Sequence, residues 1–181
     1  MVPYVEVDPA MQRNWQLWGR GFGTFASQDD VDGFAGYDAR IGGGMIGLDR
    51  RINNMLMGVG AGFTHSIVDG NAGSDLTAEG ADLLAFMSAH DESAFISISA
   101  SYGYNAVETD YETYGYEGDY DAHTLGMYLD AGYSFKLTDY LVVSPEASLL
   151  NTMYMREGYT SSSSEGMPSL DYDDYDQWSH V

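Results

Sequence analysis

From about residue 55 to residue 155 the chain alternates an apolar side chain with a small or polar one, in stretch after stretch. A strand points successive side chains to opposite faces, so each stretch makes a ribbon that is oily on one side and wet on the other. In residues 94–106, Ile96, Ile98, Ala100, Tyr102 and Tyr104 take one parity; Ser97, Ser99, Ser101, Gly103 and Asn105 take the other. Residues 57–67 set Met57, Val59, Ala61, Phe63 and Ile67 against Gly58, Gly60, Gly62, Thr64 and Ser66. Residues 124–135 set Leu125, Met127, Leu129, Ala131, Tyr133 and Phe135 against Thr124, Gly126, Tyr128, Asp130, Gly132 and Ser134, and residues 141–149 set Leu141, Val143, Ala147 and Leu149 against Ser144, Glu146 and Ser148. One such segment is weak evidence, but a series of them is the signature of an antiparallel up-and-down transmembrane β-barrel, an all-β fold.

Eight candidate strands follow, near 15–26, 38–50, 55–68, 79–89, 94–107, 121–135, 140–154 and 167–179. Their connections alternate in length. Short turns at Asn53-Asn54, 90–93 and 136–139 alternate with longer loops at 27–37, 69–78, 108–120 and 155–166, the last rich in serine. Bacterial outer-membrane barrels are strung this way, with the short turns periplasmic. An apolar band about 25 Å tall crossed at a tilt of about 40° takes roughly ten residues per strand. Tyr102, Tyr104, Tyr133, Phe135 and Tyr140 stand near the ends of the apolar faces, where an aromatic girdle would meet lipid headgroups. The segment 79–89 has an ambiguous register, because Leu84 and Phe86 fall opposite Leu83 and Met87 and a slip of one residue exchanges the faces.

The net charge of −21 excludes nucleic acid as a partner, since phosphates need Lys and Arg that are scarce here. Most of the 28 acidic residues sit in or beside the long loops, whereas Arg50, Arg51 and Lys136 border the short turns. Cysteine is absent, so there is neither a disulfide framework nor a thiolate metal site. No apolar run is long enough for a transmembrane helix, a test to which barrel strands are blind. The opening residues MVPYVEVDPAMQ lack the basic and apolar regions of a signal peptide, so export would need a signal upstream.

The segments Trp18-Gly19-Arg20-Gly21-Phe22-Gly23, Gly36 to Arg40, Gly43 to Arg51 and Gly58 to Ser66, followed by Ser101 to Asn105, Asp121 to Thr124, Ala131-Gly132-Tyr133, Pro145 to Leu149 and Glu157 to Thr160, together resemble the autotransporter β-domain over about residues 15–175. That resemblance implies a type V secretion translocator: a twelve-stranded barrel that exports and anchors its own amino-terminal passenger, with a helical linker in the pore. It also implies outer-membrane lipid, lipopolysaccharide and the barrel-assembly machinery as partners, a Gram-negative outer membrane as the location, and no catalysis by the barrel. The chain departs from the family pattern in having about eight strands, no terminal aromatic strand and no long linker helix. The expected organisation is therefore residues 1–14 as the end of a linker or passenger-proximal segment and residues 15–181 as a barrel domain cut short at its carboxyl end.

In this reading Gly58, Gly60, Gly62, Ser97, Ser99, Ser101, Thr124, Gly126 and Asp130 face the lumen, together with Gly132, and the glycines leave room for a polypeptide or allow the sheet to bend. Val59, Phe63, Ile96, Ile98, Leu125, Leu129, Val143 and Leu149 face lipid. Other motifs carry less. Gly42, Gly44 and Gly47 match a G-x-G-x-x-G pattern but lead into a turn and not a helix. His65, His90, His123 and His180 share no ligand spacing. The acidic stretches 69–75 and 171–176 lack the EF-hand arrangement. Ser161 to Ser164 have no nucleophile elbow around them and read as a loop tip. No cofactor is expected. Three alternatives remain at this point: a small eight-stranded barrel acting as adhesin or anchor, a surface-loop hydrolase, and a soluble β-sandwich with its apolar face inward.

Overall fold

In a computed structural model of the protein, residues 15–31, 35–111, 115–138, 140–163 and 168–180 are described; the proposed linker segment 1–14 lies outside them. The strands are Trp15–Gln28 (β1), Tyr37–Ile52 (β2), Met55–Gly70 (β3), Ser74–His90 (β4), Ala94–Tyr111 (β5), Tyr116–Tyr133 (β6), Phe135–Thr138 (β7), Leu141–Val143 (β8), Glu146–Arg156 (β9), Tyr159–Ser163 (β10), Leu170–Tyr172 (β11) and Tyr175–His180 (β12). All pairings are antiparallel. Strands β1 to β6 follow one another as neighbours, β9 pairs with β6, and β12 closes the order on β9. β10 also pairs with β6, at Ser162 and Ser163, so it prolongs β9 outward, and β11 pairs with β10 as β12 does with β9. The wall is therefore eight strands wide, as the alternation predicts.

Tight turns fix these hairpins. Asn53 takes a φ of 53°, a left-handed conformation that asparagine tolerates better than most side chains, and Gly73 and Gly115 take 71° and 60°. At the next short turn the Asp91 carboxylate accepts hydrogen bonds from the amides of Ser93 (2.8 Å) and Ala94 (2.7 Å). These two amide bonds hold its pKa below the usual aspartate value.

The third short connection departs from the expected strand at 140–154. Main-sheet pairing on β6 ends at Tyr133, and β7 and β8 form a separate hairpin in which Phe135 faces Val143. Pro145 has no N–H to continue a ladder; its carbonyl instead accepts from the Tyr133 amide, and β9 begins at Glu146. Val143 thus sits in this small hairpin and not in the wall, which corrects its expected place beside Leu149.

The sheet is a single layer. Among the described residues only Val107 and Ala122 are buried apolar side chains, while Val59, Phe63 and Leu83 are 56%, 64% and 59% exposed. A soluble sandwich would cover its apolar face with a second sheet; among the described residues no second layer covers it, and the fold is that of a barrel wall. The long strands also exceed the roughly 9–11 residues that a bilayer crossing requires: β3 has 16 residues, β4 has 17, and β5 and β6 have 18 each. Their surplus lies at the long-loop end, where the carboxylates are.

The Asp91 turn gives a test. Asp91→Ala is expected to lower the hydrogen-exchange protection of the Ser93 and Ala94 amides several-fold, and Asp91→Asn, which keeps an acceptor oxygen, to preserve most of it. Because the folded-state pKa is depressed, this protection is present above the ordinary aspartate range and lost as pH falls through the lowered value. Protection that stays constant through that acid range would contradict the assignment.

Candidate functional site: the glycine- and hydroxyl-lined face

Cross-strand partners share a face, so the register sorts every wall residue. Gly58 pairs with Phe86 and Phe86 with Ser99; Gly60 leads through Leu84 and Ser101 to Gly126; Ser97 pairs with Asp130 and Gly103 with Thr124. Gly58, Gly60, Gly62, Ser97, Ser99, Ser101, Thr124, Gly126 and Asp130 therefore lie on one face. Val59, Phe63, Ile96, Ile98, Leu125, Leu129 and Leu149 lie on the other, with Ile98, Leu129 and Leu149 in one cross-strand row. Exposure alternates with the faces along β3 and β5, the glycine side being the more shielded. A sheet curled toward that side has this property.

The space above the glycines is occupied. A Cβ at Gly60 would come within 2.9 Å of Cη2 of Trp18, and one at Gly47 would strike the same indole. A Cβ at Gly58 would meet the Phe86 ring, one at Gly43 the Phe22 ring and one at Gly132 the Phe95 ring; Met45 stands over Gly62 and the Ser101 hydroxyl against Gly126. The glycines are seats for side chains from neighbouring strands, which is how a strand without side chains recovers packing. Trp18 and Phe86, seated on adjacent glycines, have ring centroids 6.4 Å apart. This corrects the expectation that the glycine track is open space. It also explains the ambiguity at 79–89: Leu83 and Met87 belong to the apolar face, while Leu84 and Phe86 belong to the glycine face with Trp18. The signal that could have located them is a bulky residue on the glycine parity of one strand beside a glycine of the next.

Above this aromatic zone the face turns polar. The Thr64 hydroxyl donates to the Asp82 carboxylate (2.7 Å), whose other oxygen lies where a Cβ on Gly103 would stand, and Asn105 covers Gly80 in the same way. Nearer the short turns, level with Ser97, Asp130 keeps Oδ1 shielded and without a partner among the described residues. Farther out, the Arg156 guanidinium lies 5.4 to 5.9 Å from the ring centres of Tyr159, Tyr120, Tyr175 and Tyr172, within cation–π range, and its Nη2 donates to the Asp173 carbonyl (2.9 Å). Tyr159 stacks between Tyr120 and Tyr172, with centroids 4.8 Å and 4.6 Å away.

This cluster fastens the segment expected to be a serine-rich loop tip. Ser161 to Ser163 belong to β10, and the Ser161 hydroxyl, 1% exposed, donates to the Glu117 carbonyl; Ser164 lies outside the described residues. The acidic run 171–176 is likewise engaged: Asp171 accepts from the Thr160 hydroxyl and Asp174 from the Gly158 amide. The loop carboxylate Asp30 accepts from the Gly36 amide (2.6 Å) and from Asn71 (2.8 Å), which ties two outer loops together and lowers its pKa.

On the apolar face, the change from hydrocarbon-like to acidic side chains is marked by paired polar groups. Tyr102 shares a hydrogen bond with Nδ1 of His123, Tyr104 donates to Asp121, His123 approaches Glu157 at 3.6 Å, and His65 approaches Glu79 at 3.8 Å. At the short-turn end Tyr133 packs on Phe135 with centroids 4.6 Å apart, and Tyr140 is 92% exposed in the small hairpin.

A direct test of the seated rings is a double-mutant cycle. Gly60→Ala overpacks the site and is expected to cost about 1–3 kcal/mol. In a Trp18→Ala background the same change is expected to cost less, by about 1 kcal/mol. Additive losses in lipid-based urea unfolding would show that the indole does not occupy the Gly60 seat.

Comparison with known proteins agrees with this geometry. The family model for the autotransporter β-domain matches residues 17–181. Outer membrane protein B of Rickettsia typhi is 26% identical over 164 residues, and that of Rickettsia japonica 29% identical over 159; these alignments cover 82% and 79% of this chain but 10% of each relative. The chain thus spans about a tenth of the length of these curated relatives. Among solved structures, the translocator domain of the autotransporter NalP from Neisseria meningitidis superimposes with a TM-score of 0.71 at 12% identity, covering 94% of this chain and 61% of that one. The β-domain of the Bordetella autotransporter BrkA gives 0.65 at 18% identity, covering 91% and 66%. The wall described here, with its two chemically distinct faces, belongs to the autotransporter β-domain family and to the outer membrane of a Gram-negative bacterium.

Proposed function

We propose that this wall is part of a pore that exports a passenger polypeptide and then anchors it, and that the barrel itself performs no catalysis. The observation that carries the reading is the division of the sheet into a face of glycine, hydroxyl, amide and carboxylate groups and a face that is predominantly apolar along β2 to β6 and β9. Lipid leaves no unpaired peptide group unpunished, each costing several kcal/mol, so a pore wall must be a continuous ladder with its apolar side outward. The polar side then lines water. Ser97, Ser99, Ser101 and Thr124 offer neutral hydrogen-bond partners that suit a chain of any sequence, and Trp18, Leu84, Phe86 and Tyr128 form a low apolar sill toward the short turns.

The outer-membrane partners follow from the same division. Acyl chains meet Val59, Phe63, Ile98 and Leu129. The acidic surplus of β4 to β6 rises to the level of lipopolysaccharide, and assembly into the membrane falls to the machinery that serves this family. The small self-closed barrel is less well supported, since β1 and β12 form no ladder with each other among the described residues. For the hydrolase, the rim histidines His65 and His123 face carboxylates and a tyrosine, and among the described residues they meet no serine.

The test is photocrosslinking in the full-length protein with its passenger stalled in transit. A photoreactive residue at Ser101 or Thr124 is expected to capture the passenger, and one at Ala100 or Leu125 to capture none. Capture from both faces, or from neither, would overturn the proposal.

A further inference from the structure

One cross-strand row of the apolar face runs from Trp15 through Arg50, Met57, Met87, Ile98 and Leu129 to Leu149, and Arg50 is its one charged residue. Along β2 its neighbours on that face are Leu48 and Ile52, while the flanking Asp49 and Arg51 point to the glycine side. The guanidinium carbon lies 6.0 Å from the centre of the Trp15 ring. Nε of Arg50 is shielded and has no hydrogen-bond partner, and among the described residues no carboxylate forms an ion pair with it.

A permanent cation among apolar side chains must find an anion or reach water. Its position decides which. Arg50 stands beside the Asn53-Asn54 turn, at the end of the apolar band and not at its middle, and its indole neighbour is the side chain that favours the headgroup level of a bilayer. An anion at that level, on a face directed to lipid, is the phosphate of a phospholipid. Guanidinium matches phosphate by donating two parallel hydrogen bonds, which an ammonium cannot reproduce.

We propose that Arg50 and Trp15 form a headgroup site for one phospholipid of the leaflet nearest the short turns. The guanidinium donates to the phosphate oxygens and the indole packs against the glycerol and upper acyl chain. The inference rests on the apolar face being the lipid face. It adds a specific anion site there, one that fixes the depth of β1 and β2, the first two strands of the sheet.

The test uses native mass spectrometry of the full-length protein carrying phosphatidylethanolamine, with a diazirine-tailed phosphatidylethanolamine to map where acyl chains touch. Wild type is expected to retain one lipid more tightly than the rest, R50Q to bind it about tenfold more weakly, and R50K to fall between. Diacylglycerol with the same tails is not expected to be retained, nor is millimolar inorganic phosphate expected to bind or to displace the lipid. Equal retention by wild type and R50Q, or equal retention of diacylglycerol, would refute the site; displacement by inorganic phosphate would make it a free-anion site and refute the lipid assignment. Should R50Q fail the heat-modifiability check for folding, R50K decides: retention equal to wild type refutes paired donation to phosphate. Acyl adducts at Ile96 and Ile98 are the control. Their absence would sink the sidedness of the wall itself, whereas their presence with unchanged R50Q retention sinks only the Arg50 site.

Discussion

A peptide group in hydrocarbon has no water to bond, and the rest of this structure depends on satisfying that demand. The ladders from β1 to β6, continued through β9 to β12, do so for the strands between the two edges of the sheet. The ladder tolerates interruption only where water is close. Pro145 and the β7–β8 hairpin break it at the short-turn end, and the offset between β9 and β10 at Glu157 and Gly158 breaks it at the outer end. Once the backbone is paired strand to strand, register decides everything else, because a slip of one residue would exchange the apolar and polar faces.

Glycine supplies the complement to that rigidity. Seats at Gly43, Gly47, Gly58, Gly60 and Gly132 let large rings lie flat against the inner side of the wall, so the sheet gains packing without a second layer. The result is graded from end to end. Most seated rings lie toward the short turns, Thr64, Asp82 and Asn105 occupy the middle with Phe22 in their row, and the Arg156 tyrosine cluster braces the outer extension. The opposite face is graded too, from Arg50 and Trp15 through aliphatic residues to Tyr102, Tyr104 and a carboxylate collar.

Much of this was legible in the sequence where one parity is uniformly small or polar. Residues 57–67 and 96–106 give their strands, faces and neighbours directly, since no bulky residue intrudes on the glycine parity there. Residues 79–89 do not, because Leu84 and Phe86 answer to glycines on β3 and to Trp18 on β1, partners distant in the chain. Alternation alone places Val143 in the wall, because it continues through the β8 segment although Pro145 ends the ladder. Ser161 reads as a loop tip in the sequence because the carbonyl it bonds belongs to Glu117, far away in the chain. Local pattern shows what a strand can do; which seats its side chains take is set by pairings that alternation does not encode.

The most direct test of the two-faced wall uses the absence of cysteine, which lets a single introduced thiol carry a spin label without further changes. Labels at Ile98 and Leu129 in reconstituted vesicles are predicted to collide with dissolved oxygen far more than with a water-soluble nickel chelate, and labels at Ser99 and Ser101 to show the reverse. Labels at Ile98 and Leu129 shielded from the lipid-soluble quencher would contradict the account.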